Sequence, residues 1–262
     1  MSDATSILDE VEFNRRLFFP RADRGGPPKG AHDRTVDVDG AKLQVRVHSS
    51  RDGAPTLLLF PGNGEVCSDY DALAPRFARA GAALAVASFR GYGKSTGVPT
   101  LRAIVTDAPR IAAAVAIGPL VVMGRSLGAV AAHELYARPV EGMIGVILES
   151  ALFDLTELVR RRDLTPPAKW SSEERATFAP ATKLSKGKLP LLVLHGADDD
   201  IVAPREAKSA FGAAGAPPAH KTLVMVPDRG HNDIGDSGVY WSAIEAFLAS
   251  LAREFENQTR SG

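Results

Sequence analysis

Short, nearly uninterrupted apolar runs constrain this chain more than any other feature. They are Thr56 to Phe60, Ala82 to Ala87, Leu120 to Met123, Met143 to Leu148, Leu191 to Leu194 and Thr222 to Val226. A strand with one wet face alternates polar and apolar residues. A run that is apolar at every position must bury both faces, which is the situation of a parallel sheet covered on both sides. Helical spacing of apolar residues separates the runs, over Asp69 to Ala80, Leu127 to Ala137, Pro204 to Ala214 and Val239 to Arg253. The stretch 100–117 is also helical in pattern, but Pro109 predicts a kink or two short pieces there. Upstream, Thr35 to Val38 and Leu43 to Val47 alternate around Asp39-Gly40, the pattern of a hairpin. An opening hairpin followed by β-α alternation predicts an α/β fold with an eight-stranded, mostly parallel sheet flanked by helices.

At 262 residues, 45% of them hydrophobic, the chain suffices for one large core. Residues 35–255 are expected to form that domain, with 256–262 as a tail. Residues 1–34 read as an irregular arm, because Gly25-Gly26-Pro27-Pro28 suits neither helix nor strand. Residues 151–189 are too long for an ordinary connection. Leu152, Phe153, Leu155, Leu158 and Val159 have helical spacing, so this insertion is expected to be a short helical lid or a helix packed on the sheet. Together with Trp170 these residues suggest an apolar wall, and Arg160, Arg161 and Arg162 suit either an anionic head group or a solvated helix end.

Lys plus Arg and Asp plus Glu both number 31, so charge gives no reason to expect nucleic acid as a partner. No apolar run approaches the roughly 20 residues of a membrane span. The lone cysteine, Cys67, allows no internal disulfide, and the first residues lack the pattern of a secretory signal. A cytoplasmic location is expected; the oligomeric state is open. Cys67 reads as a small buried side chain. No cofactor is expected: Gly62-Asn63-Gly64-Glu65-Val66-Cys67 misses the third glycine of a dinucleotide fingerprint, and Ser88 stands where a phosphate loop ending in Gly93-Lys94-Ser95 needs glycine. No pair of histidines has zinc-site spacing, so no metal is expected. His32, His48 and His220 are expected to be solvated, and His133 and His195 structural.

The chemistry concentrates where apolar runs end. Gly124-Arg125-Ser126-Leu127-Gly128 stands between a strand and a helix, the setting of a serine held on a sharp turn with its hydroxyl exposed. Such a hydroxyl needs a base, and the base an orienting acid. His195-Gly196-Ala197-Asp198-Asp199-Asp200 and Gly230-His231-Asn232-Asp233 follow later strands, and in an open parallel sheet these loops gather on one edge. The order Ser, Asp, His therefore predicts Ser126 as nucleophile and His231 as base, with the acid among Asp198, Asp199 and Asp200.

These motifs, with Arg90-Gly91-Tyr92-Gly93-Lys94-Ser95, resemble the α/β-hydrolase superfamily over about Val36 to Leu251. More narrowly they are similar to its monoglyceride-lipase-like and α/β-hydrolase-domain depalmitoylase-like members. The resemblance implies the α/β-hydrolase fold and a serine hydrolase acting on a small-molecule acyl ester or thioester. An acyltransferase or peptidase with the same three residues, or a non-catalytic binding protein on this fold, are the alternatives. It also implies Asp199 as the acid, four residues after the histidine of the His-Gly pair. The oxyanion hole falls on the N–H groups of Leu127 and of Asn63 in Pro61-Gly62-Asn63-Gly64-Glu65, with Gly64 the alternative to Asn63. Relatives usually have histidine where this chain has Pro61, a position that supports the loop and donates nothing. Gly64, Glu149, Leu152 and Phe153 are the candidate pocket residues.

Overall fold

The computed structural model describes residues 9–49, 53–154, 159, 163 and 170–261. Eight strands form one sheet: β1 (Ala31–Val38), β2 (Ala41–His48), β3 (Thr56–Phe60), β4 (Ala83–Ala87), β5 (Leu120–Arg125), β6 (Met143–Glu149), β7 (Leu191–Gly196) and β8 (Lys221–Val226). Their order across the sheet is β1-β2-β4-β3-β5-β6-β7-β8. β2 is antiparallel to both of its neighbours, and every other pairing is parallel. This is the α/β-hydrolase fold.

Alternation along the central strands divides the core into two layers. Leu58 and Phe60 of β3, Val122 of β5 and Leu148 of β6 face one side. That side is covered by α3 (Leu101–Val115), α4 (Ala129–Ala137) and, after Ala203, α7 (Pro204–Ala213). Leu57, Leu59, Val121, Met123 and Ile147 face the other side. There they meet Phe77 of α2 (Ala74–Ala80) and Trp241, Ile244 and Leu248 of the final helix, α8 (Gly238–Ser261). These side chains are nearly all inaccessible to water, which explains why the strands read as unbroken apolar runs.

Several elements depart from the sequence reading. Pro109 lies inside α3 without dividing it: Thr100 caps the helix by accepting from Ala103 N–H at 3.0 Å, and Ile104, Ala108, Ile111 and Ala112 bury one face on the sheet. That burial outweighs the one backbone bond that proline forfeits. The Asp69 to Ala80 pattern divides into a 3-10 turn (Cys67–Tyr70) and α2, because Pro75 belongs in the first turn of a helix. The 1–34 arm is not irregular throughout. It contains α1 (Val11–Leu17), which buries Phe13 and Leu17, and β1 begins within it at Ala31 rather than at Thr35. The early start of β1 has an ionic cause: Asp33 accepts from buried Arg46 Nε on β2 at 2.8 Å.

Between β6 and β7 the chain forms α5 (Ser172–Thr177), capped by Ser171, and α6 (Pro180–Lys186), short helices within the insertion expected to be partly helical. Leu152 and Phe153 precede this segment without being helical. Leu155, Leu158 and Arg160, Arg161 and Arg162 lie outside the described residues. Among the described residues no helix is long and apolar enough to cross a membrane.

Candidate active site

The C-terminal ends of β3, β5, β6, β7 and β8 lie along one edge of the sheet, and the loops that follow them build the site. Ser126 follows β5 directly and has φ of +51°, the left-handed region that a side chain seldom adopts. The strain is held by close packing around it. A Cβ on Gly124 would lie 2.6 Å from the Ala132 methyl, and one on Gly128 would run into Phe60 O. Glycine on both sides thus lets β5, β3 and α4 close on the turn.

Asp199 and His231 arrive from the next loops. A Cβ on Gly196 would collide with the carbonyls of Arg229 and Gly230, so glycine there allows the two loops to touch. They are joined by Ala197 N–H to Val226 O at 2.9 Å and Asp198 N–H to Arg229 O at 2.9 Å. Asp199 is buried, whereas Asp198 and Asp200 are exposed. His231 Nδ1 lies 2.8 Å from Asp199 Oδ2, and its Nε2 lies 3.0 Å from Ser126 Oγ. Asp199 Oδ1 accepts from the N–H groups of Ile201 and Val202 at 2.9 and 2.8 Å. Burial alone would raise the Asp199 pKa. The hydrogen bonds from His231 and Val202 N–H and the neighbouring imidazoles more than offset it, so the carboxyl is held below its usual range. His195 is fully buried and braces the same loop, with Nε2 2.9 Å from Val202 O and 3.3 Å from Asp199 Oδ2.

Leu127 follows Ser126 in the first turn of a 3-10 helix (Ser126–Gly128), where leading N–H groups lack intrahelical acceptors. Asn63 lies in the loop after β3, and its side chain is fully engaged. Its Nδ2 donates to Leu17 O at 2.7 Å, while its Oδ1 accepts from Phe19 N–H at 3.0 Å and from Tyr92 Oη–H at 2.7 Å. Gly64 has φ of +85°, and its carbonyl accepts from Arg21 Nε at 2.6 Å. The N-terminal segment is therefore bolted to the loop that carries residue 63.

Glu149, a candidate pocket residue, borders a cavity with Tyr70, Arg125, Asn232 and Tyr240. It is buried in an ionic cluster beneath the site, accepting from Arg125 Nε at 3.1 Å and from Tyr240 Oη–H at 2.7 Å. Arg125 also donates to Glu65, to His231 O at 3.2 Å and to Asn232 Oδ1 at 2.9 Å. Glu65 in turn accepts from Gly62 N–H at 2.5 Å and Tyr70 Oη–H at 2.6 Å. One guanidinium thus ties together the loops after β3, β6 and β8 with the turn carrying Ser126. Sequence reasoning missed this cluster, although Arg125, between Gly124 and Ser126, was its one visible signal.

Leu152 N–H donates to Ser126 O at 3.2 Å, and Leu152 and Phe153 line a cavity beside α4 and α6. Cys67 is buried, its Sγ 3.2 Å from both Val86 O and Ser88 Oγ, and burial pushes the thiol pKa up to about 11. His48 is not solvated as expected; it is buried 3.3 Å from Asp71. Among the described residues no group of three or more His, Cys, Asp or Glu side chains is arranged to hold a metal ion.

Residues 52–188 match the family described as "Serine aminopeptidase, S33". Protein bem46 of Schizosaccharomyces pombe is 30% identical over 219 residues, covering 76% of this chain and 69% of that protein. The "Alpha/beta hydrolase domain-containing protein WAV2" of Arabidopsis thaliana is 26% identical over 222 residues, covering 76% of this chain and 71% of that protein. Among solved structures, an esterase of Pyrococcus furiosus superposes with a TM-score of 0.70 at 18% identity, covering 89% of this chain and 99% of that one. Est1E from Butyrivibrio proteoclasticus gives 0.67 at 16% identity, covering 84% and 99%. These two likenesses concern the fold. Family match, relatives and architecture agree that this chain belongs to the α/β-hydrolase superfamily of hydrolases, in the family described as serine aminopeptidase, S33.

Proposed function

We propose that the protein is a serine hydrolase that cleaves a carboxylic ester or thioester through an acyl-serine intermediate. Ser126 is the nucleophile, His231 the general base and Asp199 the residue that orients it. The observation that carries this reading is the continuous line Ser126 Oγ to His231 Nε2 to Asp199, with contacts of 3.0 and 2.8 Å. In the first step His231 Nε2 takes the hydroxyl proton as Oγ attacks the carbonyl carbon. Asp199 holds Nδ1–H and stabilises the imidazolium. The N–H groups of Leu127 and Asn63 receive the negative charge on the substrate oxygen. His231 then gives the proton to the leaving alcohol or thiol, and the ester bond breaks. Water, deprotonated by the same imidazole, attacks the acyl-serine, and release of the acid restores Ser126.

Residues 151–189 are part of this reading as a lid; its support, among the described residues of that segment, is that Leu152 N–H donates to Ser126 O and that two short helices stand between β6 and β7 in the sequence. A cytoplasmic location is also part of it, supported by a lone buried thiol in place of disulfide pairs.

The family's description favours a second reading, cleavage of an amide at a free amino terminus. Such a substrate needs an acidic group for its ammonium. Among the described residues, three carboxylates around the site are otherwise engaged: Glu65 and Glu149 by Arg125, and Glu206 by the N–H groups of Phe153 and Asp154 at 3.1 and 2.8 Å. This supports the ester reading. The test combines fluorophosphonate labelling with p-nitrophenyl esters, acyl-thioesters and aminoacyl-p-nitroanilides. Labelling that disappears in Ser126→Ala, with esters or thioesters turned over fastest, is the expected result. An unlabelled wild type overturns the catalytic reading, and fastest turnover of the anilides overturns the ester preference.

A further inference from the structure

Arg125 is the last residue of β5, so one peptide bond separates it from Ser126. Strand alternation turns its side chain to the sheet face that also carries Val121 and Met123. The side chain is 11% exposed, and its donors reach three loops. Nη2 donates to His231 O at 3.2 Å and to Asn232 Oδ1 at 2.9 Å, which holds the backbone of the proposed base. Nη1 donates to Glu65, whose other oxygen accepts from Gly62 N–H at 2.5 Å, one residue before Asn63. Nε donates to Glu149 at the end of β6 at 3.1 Å. The fit is tight: a Cβ on Gly62 would lie 2.8 Å from Arg125 Nη1.

Stability alone does not account for this arrangement. Charges taken from water lose about as much hydration as they regain in attraction, and an apolar cluster of similar volume is commonly as stable. Burial lifts the Glu149 carboxyl above its usual range, and Arg125 and Tyr240 offset only part of that. What an apolar cluster does not supply is direction. A guanidinium is planar and presents five N–H donors at fixed angles, whereas an ammonium is a point charge on a flexible stem. One rigid group, attached to the turn of the nucleophile, thus sets where the loops after β3 and β8 stand.

We propose that Arg125 is a positioning residue that keeps the base and the oxyanion loop in register with Ser126, and that it acts through the planar fork of its guanidinium rather than through its charge alone. The proposal rests on the roles given above to Ser126, His231 and Asp199. Without the fork, His231 O and Asn232 lose a donor on one side and Glu65 loses its partner on the other, so both loops relax away from Ser126 together. The cost falls on the transition state, where the imidazole must meet Oγ and the N–H groups must meet the developing oxyanion, and much less on the bound ester. A cavity of about 160 Å³, bordered by Arg125, Glu65, Tyr70, Glu149, Asn232 and Tyr240, adjoins the guanidinium. Asn232 is exposed, so a free guanidinium ion has a route to the place left when residue 125 is shortened.

The test measures kcat and KM for wild type, Arg125→Lys and Arg125→Ala on the p-nitrophenyl ester that wild type turns over fastest, with thermal melts to verify folding. Each assay is repeated with millimolar guanidinium and with millimolar methylammonium. Arg125→Ala should lose about 10²-fold in kcat, with KM within a few-fold of wild type. Guanidinium should recover about tenfold of that loss, and methylammonium, of equal charge but without the fork, should recover little. Arg125→Lys keeps the charge and should still lose about tenfold in kcat. A wild-type kcat in either folded variant overturns the proposal, as does a loss confined to KM or to thermal stability. Equal recovery by the two ions, or recovery by neither, overturns the role given to the fork. Should Arg125→Ala not fold, the kcat of Arg125→Lys decides alone. A wild type that takes no fluorophosphonate label and turns over no ester overturns the hydrolase reading itself, whereas failure of the positioning role leaves wild-type labelling intact.

Discussion

Asp199 accepts two backbone N–H groups on one oxygen and the His231 imidazole on the other, and its neighbours in sequence point to water. This division explains why the proposed role falls on one carboxylate among three adjacent ones. The backbone bonds fix the position of the side chain, and the remaining oxygen is left to select the histidine tautomer. Asp199→Asn keeps the size and part of the bonding, but its amide is able to present N–H to Nδ1 and stabilise the wrong tautomer. We expect kcat to fall by about 10³–10⁴-fold with KM within a few-fold of wild type, measured on whichever p-nitrophenyl ester is fastest. Because the carboxyl is held below its ordinary range, the wild-type residue stays ionised throughout mildly acid conditions. A decline smaller than tenfold means that His231 is oriented by something else, with His195 the neighbour to examine. Ser126 and His231 were legible in the sequence because each follows an apolar strand at a turn, whereas the choice of Asp199 from three adjacent aspartates came from the family resemblance. Arg125, Glu65, Glu149, Tyr70 and Tyr240 were not legible as a group. They come from five separate points in the chain, and nothing local marks side chains that meet only when the sheet has formed.

Two elements show where local pattern stops being informative. The segment from Val11 to Arg21 has little in its own sequence to announce a function, yet it holds the loop after β3 at several points. Leu17 O and Phe19 N–H grip the Asn63 amide, Arg21 grips Gly64 O and Asp69, and Tyr92 closes the group by bonding to Asn63 at 2.7 Å while accepting from Phe19 N–H at 2.9 Å. On its other side Phe13 packs edge-on against Trp170, which packs likewise against Phe178. An arm that reads as irregular thus spans from the proposed oxyanion loop to the helices between β6 and β7. Its partners lie from about forty to more than 150 positions away, at a range where periodicity carries no signal. β1 was read too short for a related reason: its polar beginning is justified by Arg46 and Gln44 on the next strand and by Lys94, all of which bond to Asp33. Tyr92→Phe isolates the positioning role. It removes one hydroxyl while retaining the buried ring, so folding should survive. With the amide of residue 63 less constrained, kcat should drop roughly tenfold, and inhibition by a trifluoromethyl ketone, which mimics the charged intermediate, should weaken in proportion. KM should change little, because the ground-state ester makes less use of the hole. A parallel loss in KM and thermal stability, with kcat preserved, would assign the hydroxyl to packing alone.

At the scale of the molecule, acid should destabilise this protein in two pH windows that belong to different parts of the fold. His133 sits against α6 and is neutral in the folded state, its pKa lowered by burial to about 3 from the ordinary 6.5. The unfolded chain therefore binds a proton that the folded one refuses once the pH drops below 6.5. Stability falls from there until the folded imidazole itself titrates near pH 3, with a slope of at most about 1.4 kcal/mol per pH unit. Asp33 works at the edge of the sheet, between β1 and β2. Burial would raise its pKa, but hydrogen bonds from Arg46, Lys94 and Gln44 outweigh this and hold it at about 2, below the ordinary 3.8. Its contribution is fully present above 3.8 and is lost as the pH falls through about 2. The two windows overlap little, so single substitutions separate them. Urea unfolding across pH 2–7 should show that His133→Leu flattens the decline between about pH 6 and pH 4 and leaves the lower stage intact. Asp33→Asn should leave the upper decline unchanged and remove the loss below about pH 4, at the cost of lower stability at neutral pH, where Arg46 then keeps only Asp23 and Asp71. If His133→Leu retains the wild-type slope above pH 4, the imidazole is not the group that takes up the proton on unfolding, and its neutrality in the folded protein is refuted.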